Sequence, residues 1–229
     1  MRRFWKEVAL VAADGGHDVQ LDGKPVRTPG RASLTLPNPA LAEAVAEEWR
    51  GVGETIDPRA MPLTGLANAA IDRIAPAPAA FAAGLAKYGE SDLLCYRAEH
   101  PLELQLRQAA SWDPLLGWVQ ERYGAGLTPT TGIVHVAQPP EAVAALAAAV
   151  AARSPFELAG LSPIVTVTGS LVAALALIER AAEPEDIWSA ANLDEDWQVE
   201  HWGEDELARK ARDARRADYA AAVRFLQLL

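Results

Sequence analysis

LTLPNPALAEAVAEEW, residues 34–49, is where the hydrophobic period of the chain changes, and that change decides the fold. Up to Pro37 apolar residues alternate with polar ones; from Asn38 onward they recur every fourth residue, at Leu41, Val45 and Trp49. Asn38 followed by Pro39 is a helix start. The asparagine oxygen can accept from an N–H of the first turn, and proline at the first helical position gives up an N–H that has no helical partner. This helix is expected to stop between Gly51 and Gly53.

Upstream, residues 6–37 hold short alternating runs punctuated by Asp14-Gly15-Gly16, Asp22-Gly23 and Pro29-Gly30. Glycine supplies the positive φ that tight turns need, so the segment reads as a small antiparallel meander. Downstream, helical patterns cover roughly 63–75, 78–94, 101–123, 139–152, 156–181 and 184–228, several of them broken. TPTTGIVHVAQ, residues 128–138, is the exception: Ile133, His135 and Ala137 alternate with Val134 and Val136 in an extended or strand-like segment. The fold class is therefore α+β, with a β-rich N-terminal domain over 1–37 and a helical domain over 38–229. No long linker, low-complexity tract or internal repeat interrupts it.

The chain has 229 residues, enough for a sizeable core, and its 31 acids against 21 bases give a net charge of −10. That balance argues against nucleic acid as a partner. A single cysteine excludes an internal disulfide framework and a cysteine-based zinc site. The apolar start of the chain is interrupted by Lys6 and Glu7, and no run approaches a membrane span, so a soluble, unsecreted, cytoplasmic protein without membrane insertion is expected.

Motifs for nucleotide binding, a serine nucleophile elbow or a zinc protease are absent. Thr168-Gly169-Ser170 reads as a close contact between helices, and Cys95 as a small buried apolar group. His17, His100, His135 and His201 are scattered without ligand spacing, which leaves no metal site visible in the sequence.

The densest chemistry lies in LDEDWQVEHWGEDELARKARDARR, residues 193–216. On one helix running from Trp188, the positions Trp188, Asn192, Glu195, Val199 and Trp202 share a stripe that would set Glu195 among indoles. Asp194, Gln198 and His201 form a second, polar stripe, and Leu193 with Trp197 an apolar contact. Three readings stay open: a solvated structural helix, a partner surface, or an acid–base set of Asp194, Glu195 and His201. The basic run that follows is expected to be a salt-bridged face, Asp205 with Arg209 and Glu206 with Lys210. Elsewhere, Thr64, Asn68 and Asp72 read as the polar face of a helix, and Trp112, Leu115, Leu116 and Val119 as core.

LDGKPVRTP (21–29), AEAVAEEW (42–49), IDPRAMPLTGLANAAIDR (56–73), SDLLCYRAE (91–99), SWDPLLGW (111–118), GSLVAALAL (169–177) and LDEDWQVEHWGED (193–205) occur in an order and spacing that resemble the ATP12 family, assembly chaperones for the F1 sector of ATP synthase. The resemblance covers residues 4–203. It implies a β-rich N-terminal part and a helical C-terminal part, in line with the division above. It also implies a job: binding the free α subunit of F1 and keeping it from aggregating before it meets β, with no cofactor and no turnover; the missing nucleotide motifs add the expectation that this needs no ATP. In the family the acidic position after the leucine of the L-acid-acid-acid-aromatic-Gln motif is important, and here it is Asp194, where eukaryotic relatives tend to carry glutamate. Trp197 stands where those relatives commonly have tyrosine. The expected client-binding residues are Asp194, Glu195, Trp197, Gln198, His201 and Trp202, on a monomer. A regulatory module with another partner and a carboxylate-dependent hydrolase remain the alternatives.

Overall fold

The computed structural model describes residues 2–229. Strands β1 (Val8–Ala13) and β2 (Gly16–Leu21) form an antiparallel hairpin, with Val8 opposite Leu21 and Ala13 opposite Gly16. Two short strands, β3 (Lys24–Pro25) and β4 (Thr35–Leu36), pair antiparallel with β2, which is the centre of the sheet. Gly16 is required by this register: a Cβ there would stand 2.0 Å from the Leu36 carbonyl oxygen. The two-residue period shows in β2, where Val19 and Leu21 are buried and Asp18 and Gln20 are less so.

The period change at residue 38 marks the start of α1 (Pro39–Arg50), whose Asn38 side chain accepts from the Leu41 N–H at 2.9 Å. Leu41 and Val45 are fully buried, and Trp49 meets the Trp5 ring edge at 5.3 Å. Helix α2 (Pro62–Ala69) has no side-chain cap of its own. Glu48 substitutes for one, accepting from the N–H groups of Leu63 and Thr64, both at 2.8 Å, and from the Thr64 hydroxyl at 2.7 Å. The chain continues through one wide π turn, Ala70–Ile74, whose Asp72 accepts from the Thr28 hydroxyl and the Gly30 N–H, each at 2.7 Å. Thr64 and Asp72, placed by their spacing on the polar face of a helix, are thus structural ties within the first unit. Spacing alone could not reveal Glu48 or the Thr28 turn as partners.

By contacts the chain groups into two compact units. One unit runs to Pro78 and takes back residues 154–160 and 220–229; the other holds 79–153 and 161–219. In the first unit the returning segments meet each other, with the Phe156 and Phe225 rings stacked at 6.3 Å.

The second unit contains α3 (Pro78–Ala86) from its second residue on, α4 (Leu102–Tyr123), α5 (Pro140–Ala151), most of α6 (Pro155–Thr168), α7 (Leu171–Ile178), α8 (Pro184–Ala191), α9 (Leu193–Trp202) and most of α10 (Glu206–Gln227). Helix α7 is buried from Leu171 to Leu177. The buried carboxylate of Asp92 accepts from the Val172 N–H at 3.0 Å and the Leu94 N–H at 3.1 Å, tying the segment before α4 to the start of α7. Thr168-Gly169-Ser170 is the break between α6 and α7: Gly169 takes φ +66° and Ser170 caps α7 by accepting from the Ala173 N–H at 2.9 Å. Cys95 is fully buried, and burial pushes its thiol up to about 12, so it behaves as an apolar filler.

The segment expected to be strand-like forms only two residues of strand. Thr130–Thr131 (β6) pairs parallel with Tyr96–Arg97 (β5), and the chain then leaves the sheet. No helix among the described residues is long and apolar enough to cross a membrane.

Candidate functional site

The single helix expected from Trp188 onward is two. Asn192, at φ −106° and ψ 12°, separates α8 from α9, and its buried amide donates to the Trp188 carbonyl at 2.8 Å. The stripe joining Trp188, Glu195 and Trp202 is not built: Trp188 is buried, Trp202 stands in water and Glu195 pairs with an arginine of the next helix.

The acids at the start of α9 each take a separate partner. Asp194, half-buried, accepts at 2.7 Å from the amide of Gln108 on α4, and that fully buried glutamine also accepts from the Ala98 N–H at 2.8 Å. Glu195 pairs with Arg215 of α10 at 2.5 Å. Asp196 pairs with Arg212 at 2.5 Å. All three acids lie in the first turn of α9, where negative charge also complements the helix N-terminus. Trp197 is buried and lies against the Arg107 guanidinium, 4.7 Å from its centroid, and the His201 ring, stacked at 4.1 Å. The His201 Nδ1 is 2.8 Å from the Trp197 carbonyl. Gln198, His201 and Trp202 are exposed, Trp202 at 77%.

Asp194, Glu195 and His201 therefore do not converge as an acid–base set, since one faces α4, one faces α10 and the third is held by its own helix. The Asp194–Gln198–His201 row does not bond within itself; Gln108 replaces it. No cluster of three His, Cys, Asp or Glu side chains able to hold a metal is present among the described residues.

The basic run is used differently from the local pairing expected. Glu206 does pair with Lys210 at 2.6 Å, but Asp205 accepts from the N–H groups of Leu207 and Ala208, both at 3.0 Å, capping α10 instead of meeting Arg209. Arg212 and Arg215 reach back to α9, and Arg216 reaches Glu185 of α8 and lies 4.7 Å from the Trp188 centroid. The acidic helix and the basic helix neutralise each other, which locks α9 in place.

Sequence reasoning missed α4 as the other half of this site. Gln108 was the available signal, a polar residue on the stripe Leu104, Gln108, Trp112, Leu116 that is otherwise buried apolar. Arg107 is held by Glu200 at 2.7 Å and Glu103 at 3.2 Å, which positions it over Trp197. The second unit leaves large apolar side chains in water, among them Leu102 and Leu106 on α4, Trp202 on α9, Leu207 on α10, and Ile133 and Val134 after β6.

A family model described as ATP12 chaperone protein matches residues 2–120, just over half of the chain. Protein atp12, mitochondrial, of Schizosaccharomyces pombe is 24% identical over 214 residues, 88% of this chain and 74% of that protein. The crystal structure of Atp12 from Paracoccus denitrificans matches with a TM-score of 0.95 at 44% identity, covering 99% of this chain and 97% of that one, and a structure of an Asp-to-Lys mutant of Atp12p from the same organism gives the same values. A structure from Agrobacterium tumefaciens, 41% identical, covers 99% of this chain and 85% of its own with a TM-score of 0.93.

Proposed function

We propose that this chain, which belongs to the ATP12 family of chaperones and so serves F1-ATPase assembly, binds the unassembled α subunit of F1 through the outer face of α9 and does so without ATP. The observation that carries this reading is Trp202, 77% exposed at the end of α9 and close in sequence to Leu207, 75% exposed at the start of α10. Two large apolar groups beside a locked polar scaffold are what a docking surface needs: anchors to be desolvated and a rigid rim. Gln198 and His201 form that rim, Asp194 contributes its half-buried charge, and Glu195 and Trp197 act from beneath by holding the helix. The reading is of a binding protein, not an enzyme, working as a monomer in the cytoplasm of a bacterial-type cell. Its net charge of −10 keeps the complex soluble while a sticky client is held.

The test dilutes denatured F1 α subunit into nucleotide-free buffer with and without the purified chain and follows light scattering. Suppression by the wild type, weakened in Trp202→Ser, is expected. Aggregation that proceeds unchecked unless ATP is added would refute the ATP-independent mechanism. Equal suppression of an unrelated aggregating protein would favour general stickiness over client recognition.

A further inference from the structure

Beyond β6 the chain carries Ile133-Val134-His135-Val136-Ala137, a run of β-branched and apolar residues with strand-forming character. Among the described residues, none of the backbone N–H or C=O groups of these five has a hydrogen-bond partner. All five are exposed, with Ile133 at 96% and Val134 at 74%. A strand-forming sequence left wholly unpaired is a template for another chain, and proteins ordinarily blunt such edges with charge, proline or a covering element. Nothing of that kind interrupts this run.

The segment is also held in place. The buried side chain of Gln138 accepts from the Thr128 N–H at 2.7 Å and donates to the Thr128 carbonyl at 3.1 Å, closing the loop at its base as a paired strand residue would. On the inner side the Gly132 N–H donates to the Arg97 carbonyl at 2.8 Å, and the Tyr96 hydroxyl lies 3.2 Å from the His135 Nδ1. The Glu99 carboxylate sits so close that a Cβ on Gly132 would be 2.6 Å from it, and it has no ion pair among the described residues.

We infer that residues 133–137 are a docking edge to which an extended apolar segment of the unassembled F1 subunit adds as a β-strand, with a lysine or arginine of that segment meeting Glu99. Main-chain pairing supplies affinity that tolerates sequence, and Ile133, Val134 and Glu99 supply selectivity. An extended partner fits better than a helix, because only extended backbone satisfies the open N–H and C=O groups. A second copy of this chain fits poorly, since each copy carries a net charge of −10. The inference rests on the client reading above and adds a contact surface distinct from α9.

The test is amide hydrogen exchange on the unaltered chain, alone and in a nucleotide-free complex with F1 α subunit. Exchange over 133–137 is expected to slow by roughly tenfold or more in the complex. Ile133→Ser with Val134→Ser is expected to weaken binding by about tenfold or more at unchanged melting temperature, because both side chains are already in water. Glu99→Lys is expected to weaken binding most at low salt. A complex that forms while 133–137 exchange as in the free chain overturns this inference and leaves the client reading standing. Failure to form any complex overturns the client reading and this edge with it. Protection of the same amides in a homodimer without client assigns the edge to self-association and overturns the proposal.

Discussion

Asp194→Ala tests whether the family's acidic position is a free surface group or part of the fold. In the structure its carboxylate accepts at 2.7 Å from Gln108, a residue with no exposed surface. Removing the acceptor takes away a hydrogen bond to a carboxylate, worth about 1.5–3 kcal/mol, and leaves a buried amide N–H group short of a partner. A loss of about 2 kcal/mol is expected, which lowers the melting temperature of a domain of this size by about 4–8 °C. A double-mutant cycle with Gln108→Leu isolates the pair: once the amide is gone, the second change at Asp194 should cost little, giving a coupling of about 1.5–3 kcal/mol. The assay is thermal and urea unfolding followed by far-UV dichroism on all four proteins. Asp194→Ala melting with the wild type, or costs that simply add, would refute the account of Asp194 as a structural tie. The result also governs how charge reversal at this position is read. Asp194→Lys deprives Gln108 as well as reversing a charge, so loss of client protection in that variant mixes two causes. Asp194→Asn separates them, because its side-chain oxygen can still accept from Gln108 while the charge is gone.

The two tryptophans of α9 should behave oppositely. Trp197→Ala removes a buried indole and is expected to cost about 3–5 kcal/mol, whereas Trp202→Ala, at an exposed site, should change stability by less than about 0.5 kcal/mol; matching melts for the two variants would contradict their placement. Glu179 is held below the ordinary glutamate value of 4.5, first by its hydrogen bond from Arg153, against the opposing effect of burial, and then by Arg122 and Tyr123. A depressed folded value means its stabilisation is complete above 4.5 and lost as pH falls through the lower folded value. Glu179→Gln should therefore be less stable than wild type at neutral pH, with the gap closing in acid; a gap independent of pH in urea titrations would show that ionisation is not what Glu179 contributes.

What the sequence determined by itself was carried by local period and local caps. The meander before Pro37, the start of α1 at Asn38-Pro39 and the long α4 follow from spacing, turn glycines and cap chemistry acting within a few residues. The family's ordered motifs were legible too, since they are strings of residues. The site was legible only in part. Its acids and tryptophans stand in one continuous stretch, but which tryptophan is core and which is surface depends on the turn at Asn192 and on the neighbours α9 meets. Those neighbours are remote in sequence: Gln108 lies 86 residues from Asp194, and Arg107 lies 93 from Glu200. The same holds for Glu48 capping α2 and Asp72 holding the Thr28 turn. The strand-like run 133–137 shows the limit most directly. Its residues encode an extended, apolar, β-forming segment, but strand formation needs a second backbone, and tertiary structure alone decides whether one is present. In this fold the chain supplies a strand partner for two residues, Thr130 and Thr131, and leaves residues 133–137 facing water. Side-chain period is a property of the chain, whereas pairing, burial and ion-pair partners are properties of what folding brings alongside it.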